Sequence, residues 1–314
     1  MNRREFTFGA LAAAIGGGFG RAAAAAGSSD FGVQLFSVPK WLEKDFKGTL
    51  RKLAAMGYRN IEFYGPYVFS DPSNIAQWKA LGPSLGFNGS GFFGLSAAEV
   101  GAVLKDNNLR APSMHTDLGT LEGRMGPLAE AAHTIGATYV VLPSIPEERR
   151  KTLDDYKRMA TAFNRIGEQA RRSGVKFAYH NHGYGQHPLE GQIPLEVMLA
   201  GTDRDLVDWE MDIYWTVAGG GDPAALLRSH PSRYRLMHLK DMKVLKHFAG
   251  DGGDPAQWEA LFSYMTTVGD GVLDIKSIVQ QARKSGVEYF FVEQDNVANP
   301  QVALQRSIDY LKRL

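Results

Sequence analysis

The 314-residue chain contains no cysteine. Disulfide scaffolds, thiol nucleophiles, iron–sulfur clusters and Cys-type zinc sites are excluded with it, so any metal must sit on His, carboxylate or amide groups. An excess of charge of one sign is also missing. Lys and Arg number 35 against 34 Asp and Glu, a net charge of +1, and no basic run exceeds Glu148-Arg149-Arg150-Lys151. A nucleic-acid partner needs a basic footprint and is not expected. The apolar run from Phe8 to Gly20 is too Gly-rich and too short for the roughly 20 apolar residues of a membrane span, so the chain is not expected to be membrane-embedded. Nor does a Gly-x-Gly-x-x-Gly fingerprint follow the first β-rich run, which weighs against a doubly wound nucleotide-binding sheet.

What is there begins with an export signature. Residues 1–26 open on Met1-Asn2-Arg3-Arg4-Glu5-Phe6, continue through an Ala/Gly-rich apolar run and end on Ala22 to Ala26. A charged, then apolar, then Ala-x-Ala order marks a cleavable signal. Arg3-Arg4 followed by Phe6 marks the twin-arginine type. Residues 1–26 are therefore expected to be a twin-arginine (Tat) signal peptide that engages the Tat translocase, with a periplasmic or otherwise exported destination. Residues 27–314 show no linker or shift in composition and are expected to be one domain.

From Asp30 onward, short β-rich runs alternate with longer amphipathic ones, the pattern of a parallel sheet with crossover helices. Eight strands are expected: Phe31–Ser37, Asn60–Gly65, Ala111–Thr116, Thr138–Pro143, Lys176–His182, Val207–Trp215, Arg235–Asp241 and Tyr289–Asp295. Asp222-Pro223 and Asn299-Pro300 place a capping side chain before a proline suited to the first helical turn. Gly57, Gly136, Gly174 and Gly286 stand where helices should stop. Eight β/α units in one domain point to an α/β fold, a (β/α)8 TIM barrel. Residues 66–110 are long enough for two helices, and the extended loop at 243–273, rich in Gly and Asp, is expected to serve as a lid.

Reacting groups of such a barrel lie at the carboxyl ends of its strands. Those ends read Glu62, His115, His180-Asn181-His182, Glu210-Met211-Asp212, His238-Leu239-Lys240-Asp241 and Glu293-Gln294-Asp295. Polar residues two apart share one face of a strand. Carboxylates and imidazoles on a buried face cost several kcal/mol in desolvation unless a cation or hydrogen bonds offset it, and a metal is the economical explanation. Mixed imidazole and carboxylate donors suit one divalent transition-metal ion, with Mn²⁺ the leading expectation and Zn²⁺, Co²⁺ and Fe²⁺ as alternatives, and suit Ca²⁺ poorly. His133, His187, His230 and His247 fall on helices or loops and are read as surface or supporting residues.

At Tyr179-His180-Asn181-His182, Glu210 to Trp215, Met237 to Asp241 and Val292 to Asp295, the chain resembles the sugar phosphate isomerase/epimerase family of xylose isomerase-like barrels. The likeness extends from Asp30 to Leu314. It implies a metal held by one residue from each of strands five to eight, here His180, Asp212, His238 and Glu293. Many family members carry Glu where this chain has His180, so a mechanism with two metal-bound glutamates does not transfer directly. His182 points the same way as His180 and stands as the alternative ligand or base.

The resemblance implies proton abstraction next to a carbonyl through a metal-stabilised enediolate, leaving isomerase, epimerase and lyase outcomes open. Glu293, His180 or His182 would be the base, Lys240 would face the developing oxyanion, and Glu62 and His115 would hold sugar hydroxyls or act as the second acid/base. For Lys240 the competing role is an ion pair with Asp241 or Glu210. Glu210, Trp215, Phe36 and Tyr64, with Phe92, would add substrate contacts. Export favours an unphosphorylated keto-sugar or 3-keto-glycoside as the small-molecule partner. The competing reading is a non-catalytic exported carbohydrate-binding barrel. The sequence leaves the oligomeric state open.

Overall fold

In the computed structural model, which describes residues 30–314, the β-rich runs pair into a single ring. The signal expected over residues 1–26 lies outside the described residues. The strands are β1 (Gly32–Gln34), β2 (Asn60–Phe63), β3 (Arg110–His115), β4 (Tyr139–Leu142), β5 (Lys176–His180), β6 (Val207–Asp212), β7 (Tyr234–Leu239) and β8 (Tyr289–Val292). Each pairs in parallel with its neighbour, and β1 bonds both β2 and β8, closing the barrel. The expected (β/α)8 architecture is the one observed.

The helix punctuation follows its local chemistry. Asp222 and Asn299 accept from the backbone N–H groups of Ala225 and Val302 at the starts of Pro223–Ser229 and Pro300–Leu311, which satisfies donors that a helix start leaves free. Gly57, with φ +109°, ends Phe46–Met56 in the left-handed conformation that glycine adopts without strain. The 66–110 stretch holds the two expected helices, Pro72–Leu85 and Ala97–Asp106.

Two layers of core position the site. The larger lies between the outer barrel face and the helices, and includes Val33, Ile61, Val140, Phe177, Trp209 and Met237. A smaller cluster of Tyr139, Val141, Ala178, Leu236 and Phe291 fills the barrel interior, as small parallel barrels require. The polar strand ends sit on this apolar plug.

Several strands stop earlier than their sequence suggests. β6 ends at Asp212 because the Asp212 carboxylate turns back, Oδ1 accepting from the Trp215 N–H at 2.9 Å, and starts the Ile213–Ala218 helix. β1 gives way after Gln34 to a 3-10 turn, Leu35–Ser37. The 243–273 segment is more ordered than a loop. Asp241–Met242 pairs antiparallel with Met265–Thr266, and a helix, Pro255–Phe262, lies between.

Asp241 anchors the far end of that segment. Its buried carboxylate accepts from the backbone N–H groups of Met242, Gly269, Gly271 and Leu273 at 2.8–3.2 Å. The competing role for Lys240, an ion pair with Asp241, does not form, because these four donors hold Asp241 away from the barrel. Asp241→Ala is expected to lower stability by about 2–4 kcal/mol through the unsatisfied donors, read by urea denaturation. Faster amide exchange should concentrate in residues 265–273. An unchanged midpoint would show that the anchor contributes nothing.

Candidate active site and metal centre

Strand register brings the polar ends together. β5 and β6 pair His180 with Glu210, and β6 and β7 pair Asp212 with His238. β2 lies beside both Gln34 and Ser113 at Glu62. The result is a continuous buried network. His115 Nε2 lies 2.7 Å from Glu210 Oε2 and 3.2 Å from Glu62. His180 Nδ1 meets the same Glu210 oxygen at 3.1 Å. His238 bridges Glu293 through Nδ1 at 2.7 Å and Glu62 through Nε2 at 2.5 Å. Lys240 Nζ sits among Asp212, Glu293 and Asp295 at 3.2, 2.9 and 3.1 Å.

Electrostatics follow from that crowding. Burial alone would raise the Glu62 carboxyl, but the His115 and His238 imidazoles outweigh it and hold the group far below the carboxylate range. Glu210, raised by burial and by Glu62, is drawn down to about 2 by His238 and His115. Burial opposes the charged forms of His115 and His238, yet the carboxylates win: His115 is pushed up to about 9 by Glu62 and Glu210, and His238 is raised by Glu210, Glu62 and Glu293. Lys240 is likewise raised by Asp212, Asp295 and Glu293 against its burial. His180 moves down through burial and the neighbouring His238.

Five carboxylates, Glu62, Glu210, Asp212, Glu293 and Asp295, thus share the floor with three groups held cationic, His115, His238 and Lys240. With all five ionised, two negative charges stay uncompensated. The strain shows at Asp212, raised by burial, and at Asp295, which burial and then the Glu293 charge push up to about 7 despite Lys240. Two carboxylate oxygens, Glu210 Oε1 and Asp212 Oδ2, are buried without an aligned hydrogen-bond donor. Surplus negative charge, orphan oxygens and mixed donors together fit a divalent cation.

Two donor groups meet the geometry of such an ion. Donor atoms of Asp212, His238 and Glu293 lie within 4.8 Å of one another, as do those of His115, His180, Glu210 and His238. The four ligands implied by the family resemblance are therefore split. Asp212, His238 and Glu293 come together, while His180 belongs to the second group, though its Nε2 stands 3.8 Å from Asp212 Oδ2.

Above this floor opens a cavity of about 740 Å³ lined by His115, His180, His182, Trp215, Lys240, Glu293, Phe36 and Tyr64 among others. Three expected substrate contacts lie elsewhere. Glu62 and Glu210 are fully buried and absent from the cavity wall. Glu62 accepts from Gln34 Nε2 and Ser113 Oγ, and Glu210 is engaged by His115 and His180, so both oppose imidazoles beneath the floor instead of reaching a sugar. Phe92 packs against Phe63 and Tyr67, also outside the cavity wall. His182 is outside both donor groups. Its Nδ1 donates to the Pro143 carbonyl at 2.6 Å, and its ring stacks on Trp258 at 4.7 Å. Burial and then the Lys240 charge hold its pKa at about 3, so it is a neutral imidazole.

Gln34, Thr116 and Trp258, all on the cavity wall, are absent from the candidates the sequence offers, whereas Asp295 stands among them as a strand-end group. Gln34 could have been found by the same rule of strand-end residues two apart. Trp258 comes from a segment without periodicity and carried no signal. Thr116 Oγ1 and Trp215 Nε1 are buried without partners, in two residues that line the cavity.

A family model described as a xylose isomerase-like TIM barrel matches residues 50–314. Inosose dehydratase of Bacillus licheniformis is 31% identical over 156 residues, 48% of this chain and 51% of that protein. The chain spans about half the length of the curated relatives it matches. A solved sugar phosphate isomerase/epimerase from Parabacteroides distasonis superposes with a TM-score of 0.72 at 22% identity, covering 92% of this chain and 95% of that one. The IOLI protein, solved with a zinc atom, superposes with a TM-score of 0.63 at 13% identity over 90% and 95% of the two chains. At such identities these structures establish the fold alone.

Lys240 tests the charge argument. In chelator, Lys240→Met is expected to lose about 3–5 kcal/mol, because it leaves three buried carboxylates without their shared ammonium. Adding Mn²⁺ or Zn²⁺ should restore more stability to the variant than to the wild type, as a dication supplies the missing charge. Equal losses with and without the ion, read by thermal denaturation, would show that these carboxylates are not its seat.

Proposed function

We propose that this chain, which belongs to the xylose isomerase-like TIM-barrel family, is a divalent-metal-dependent enzyme that moves a proton on the carbon beside a carbonyl of a keto-sugar or keto-polyol. The surplus negative charge at the cavity floor carries the reading, with Glu210 Oε1 and Asp212 Oδ2 buried there without an aligned hydrogen-bond donor. Asp212, His238 and Glu293 would hold the ion, with His180 as the neighbouring donor, and His238 would shed a ring proton to do so. Such an ion supplies a Lewis acid that polarises a carbonyl and steadies charge on its oxygen.

The chain's own groups do the rest. Glu293 faces the cavity and takes the proton. The Lys240 ammonium, 2.9 Å from it, donates toward the oxygen that gains charge or is expelled. His182 keeps its Nε2 lone pair free, because Nδ1–H is committed to Pro143, and accepts from a substrate hydroxyl. Thr116 and Trp215 offer unpartnered polar groups to further oxygens.

Elimination is the outcome we favour. The C–H proton passes to Glu293, the C–O bond one carbon further breaks, and the departing hydroxide takes a proton from Lys240 and leaves as water. The dehydratase relatives support that assignment. We further propose that the protein is exported through its twin-arginine segment and works on an unphosphorylated substrate.

Elemental analysis is expected to find about one equivalent of a transition metal, lost in a folded His238→Ala, Glu293→Ala double variant. Failure of the wild type to take up Mn²⁺, Zn²⁺ or Co²⁺ would overturn the reading. In D₂O the loaded protein should exchange the hydrogen beside the carbonyl of inososes or 3-keto-glycosides, and Glu293→Gln should slow this by about 10²–10⁴. Growth of conjugated-ketone absorbance identifies elimination, and exchange without it identifies epimerisation or isomerisation.

A further inference from the structure

The cavity is built in two tiers. Its lower tier is the buried strand-end set, including His115, His180, Lys240 and Glu293. Its upper tier comes from two inserted helices. Pro72–Leu85 contributes Asn74, Gln77 and Trp78, and Pro255–Phe262 contributes Trp258 and Phe262, all of them half-buried or exposed.

The upper tier has the chemistry of a carbohydrate seat. Trp78 is fixed by Nε1 donating to the Asn88 carbonyl at 2.7 Å and packs beside Tyr64, ring centres 5.8 Å apart. Trp258 is fixed by Nε1 donating to the Gly252 carbonyl at 2.7 Å and by the His182 stack. Rigid aromatic faces accept the apolar faces of pyranose rings at little conformational cost. Among the described residues, the side chains of Asn74 and Gln77 have no hydrogen-bond partner, and an amide both donates and accepts, as hydroxyls require. Volume agrees. A single pyranose has about a dozen non-hydrogen atoms, well short of the drug-sized ligands that cavities of roughly 300–1,000 Å³ enclose, whereas this cavity holds about 740 Å³.

We propose that the Trp78–Gln77 side of the cavity is a subsite for a second pyranose ring, so that the substrate is a glycoside of disaccharide type and not a free monosaccharide. This rests on the reading that the reacting ring lies on the strand-end floor. The keto ring occupies the lower tier, and the glycosidic partner lies between the two helices.

The metal-loaded full chain, titrated with glucose, cellobiose, maltose and lactose and followed by tryptophan fluorescence and calorimetry, provides the test. At least one disaccharide is expected to bind about tenfold tighter than glucose. Gln77→Ala, which removes no side-chain hydrogen bond within the protein, should weaken that disaccharide about threefold to tenfold and glucose by less than about twofold. Trp78→Ala should act in the same direction and more strongly. Equal binding of all four sugars, no binding of any, or equal weakening of glucose and disaccharide by both variants would overturn the subsite. Because binding is read without turnover, the two readings separate. Absent hydrogen exchange beside a retained disaccharide preference sinks the proton transfer and keeps the subsite. Exchange on a free keto-sugar without that preference does the reverse.

Discussion

Everything at the centre of this barrel answers to one constraint, which is that acidic groups outnumber the bases that neutralise them in a place water does not reach. Taking an ion out of water carries a penalty of several kcal/mol even after relaxation. The floor meets most of it with reciprocal pairs: His115 between Glu62 and Glu210, His238 between Glu62 and Glu293, and Lys240 among three carboxylates. What is left over collects at Asp212, fully buried, and at Asp295 on the cavity wall. A divalent ion placed there relieves the same imbalance that would otherwise destabilise the fold. Stability and the proposed catalysis therefore draw on one set of residues.

Much of this was legible in the sequence because two periodicities act together. Residues two apart on a strand share a face, and parallel pairing carries that face from one strand to the next, so His180, Glu210, Asp212 and His238 had to converge once the strands were in register. Depth was not legible. Glu62 and His115 both stand at strand ends, yet Glu62 is sealed below the floor while His115 reaches the wall, because Gln34 and Ser113 flank only Glu62. Nor was the partner of Asp241, since four backbone N–H groups up to 32 residues away leave no trace in composition. Trp258 reached the cavity through tertiary packing of an aperiodic segment for the same reason.

The loops answer to a different logic. The floor is fixed by register, so a substitution there disturbs charge balance across five strands. The Pro72–Leu85 and Pro255–Phe262 helices stand over the cavity, with Trp78 packed on Tyr64 and Trp258 stacked on His182. Side chains on their cavity faces can change size and polarity without altering the strand-end network. A barrel of this kind separates the step that breaks a bond from the surface that selects the molecule, which is how one fold carries many substrates.

The direction of the proposed proton transfer follows from which carboxylates reach the cavity. Glu62 and Glu210 are engaged beneath the floor, and Asp212 is tied through Oδ1 to the turn that follows it. Of the five floor carboxylates, those on the cavity wall are Glu293 and Asp295, both from the end of β8. A base on one side only can take a proton and return it with the same configuration, whereas inversion needs a second acceptor opposite. The opposite wall offers no carboxylate: His115 has its Nε2 engaged by Glu210, and His182, with Nδ1–H committed to Pro143, presents only the neutral Nε2 that the proposed mechanism assigns to a substrate hydroxyl. Elimination needs no second base: it requires one acceptor for the proton and one donor for the departing oxygen. Glu293 and Lys240, 2.9 Å apart, form such a pair. The substitution of an imidazole for the glutamate expected on strand five is thus consistent with a lyase, because it removes the carboxylate that an epimerase would use from the other side.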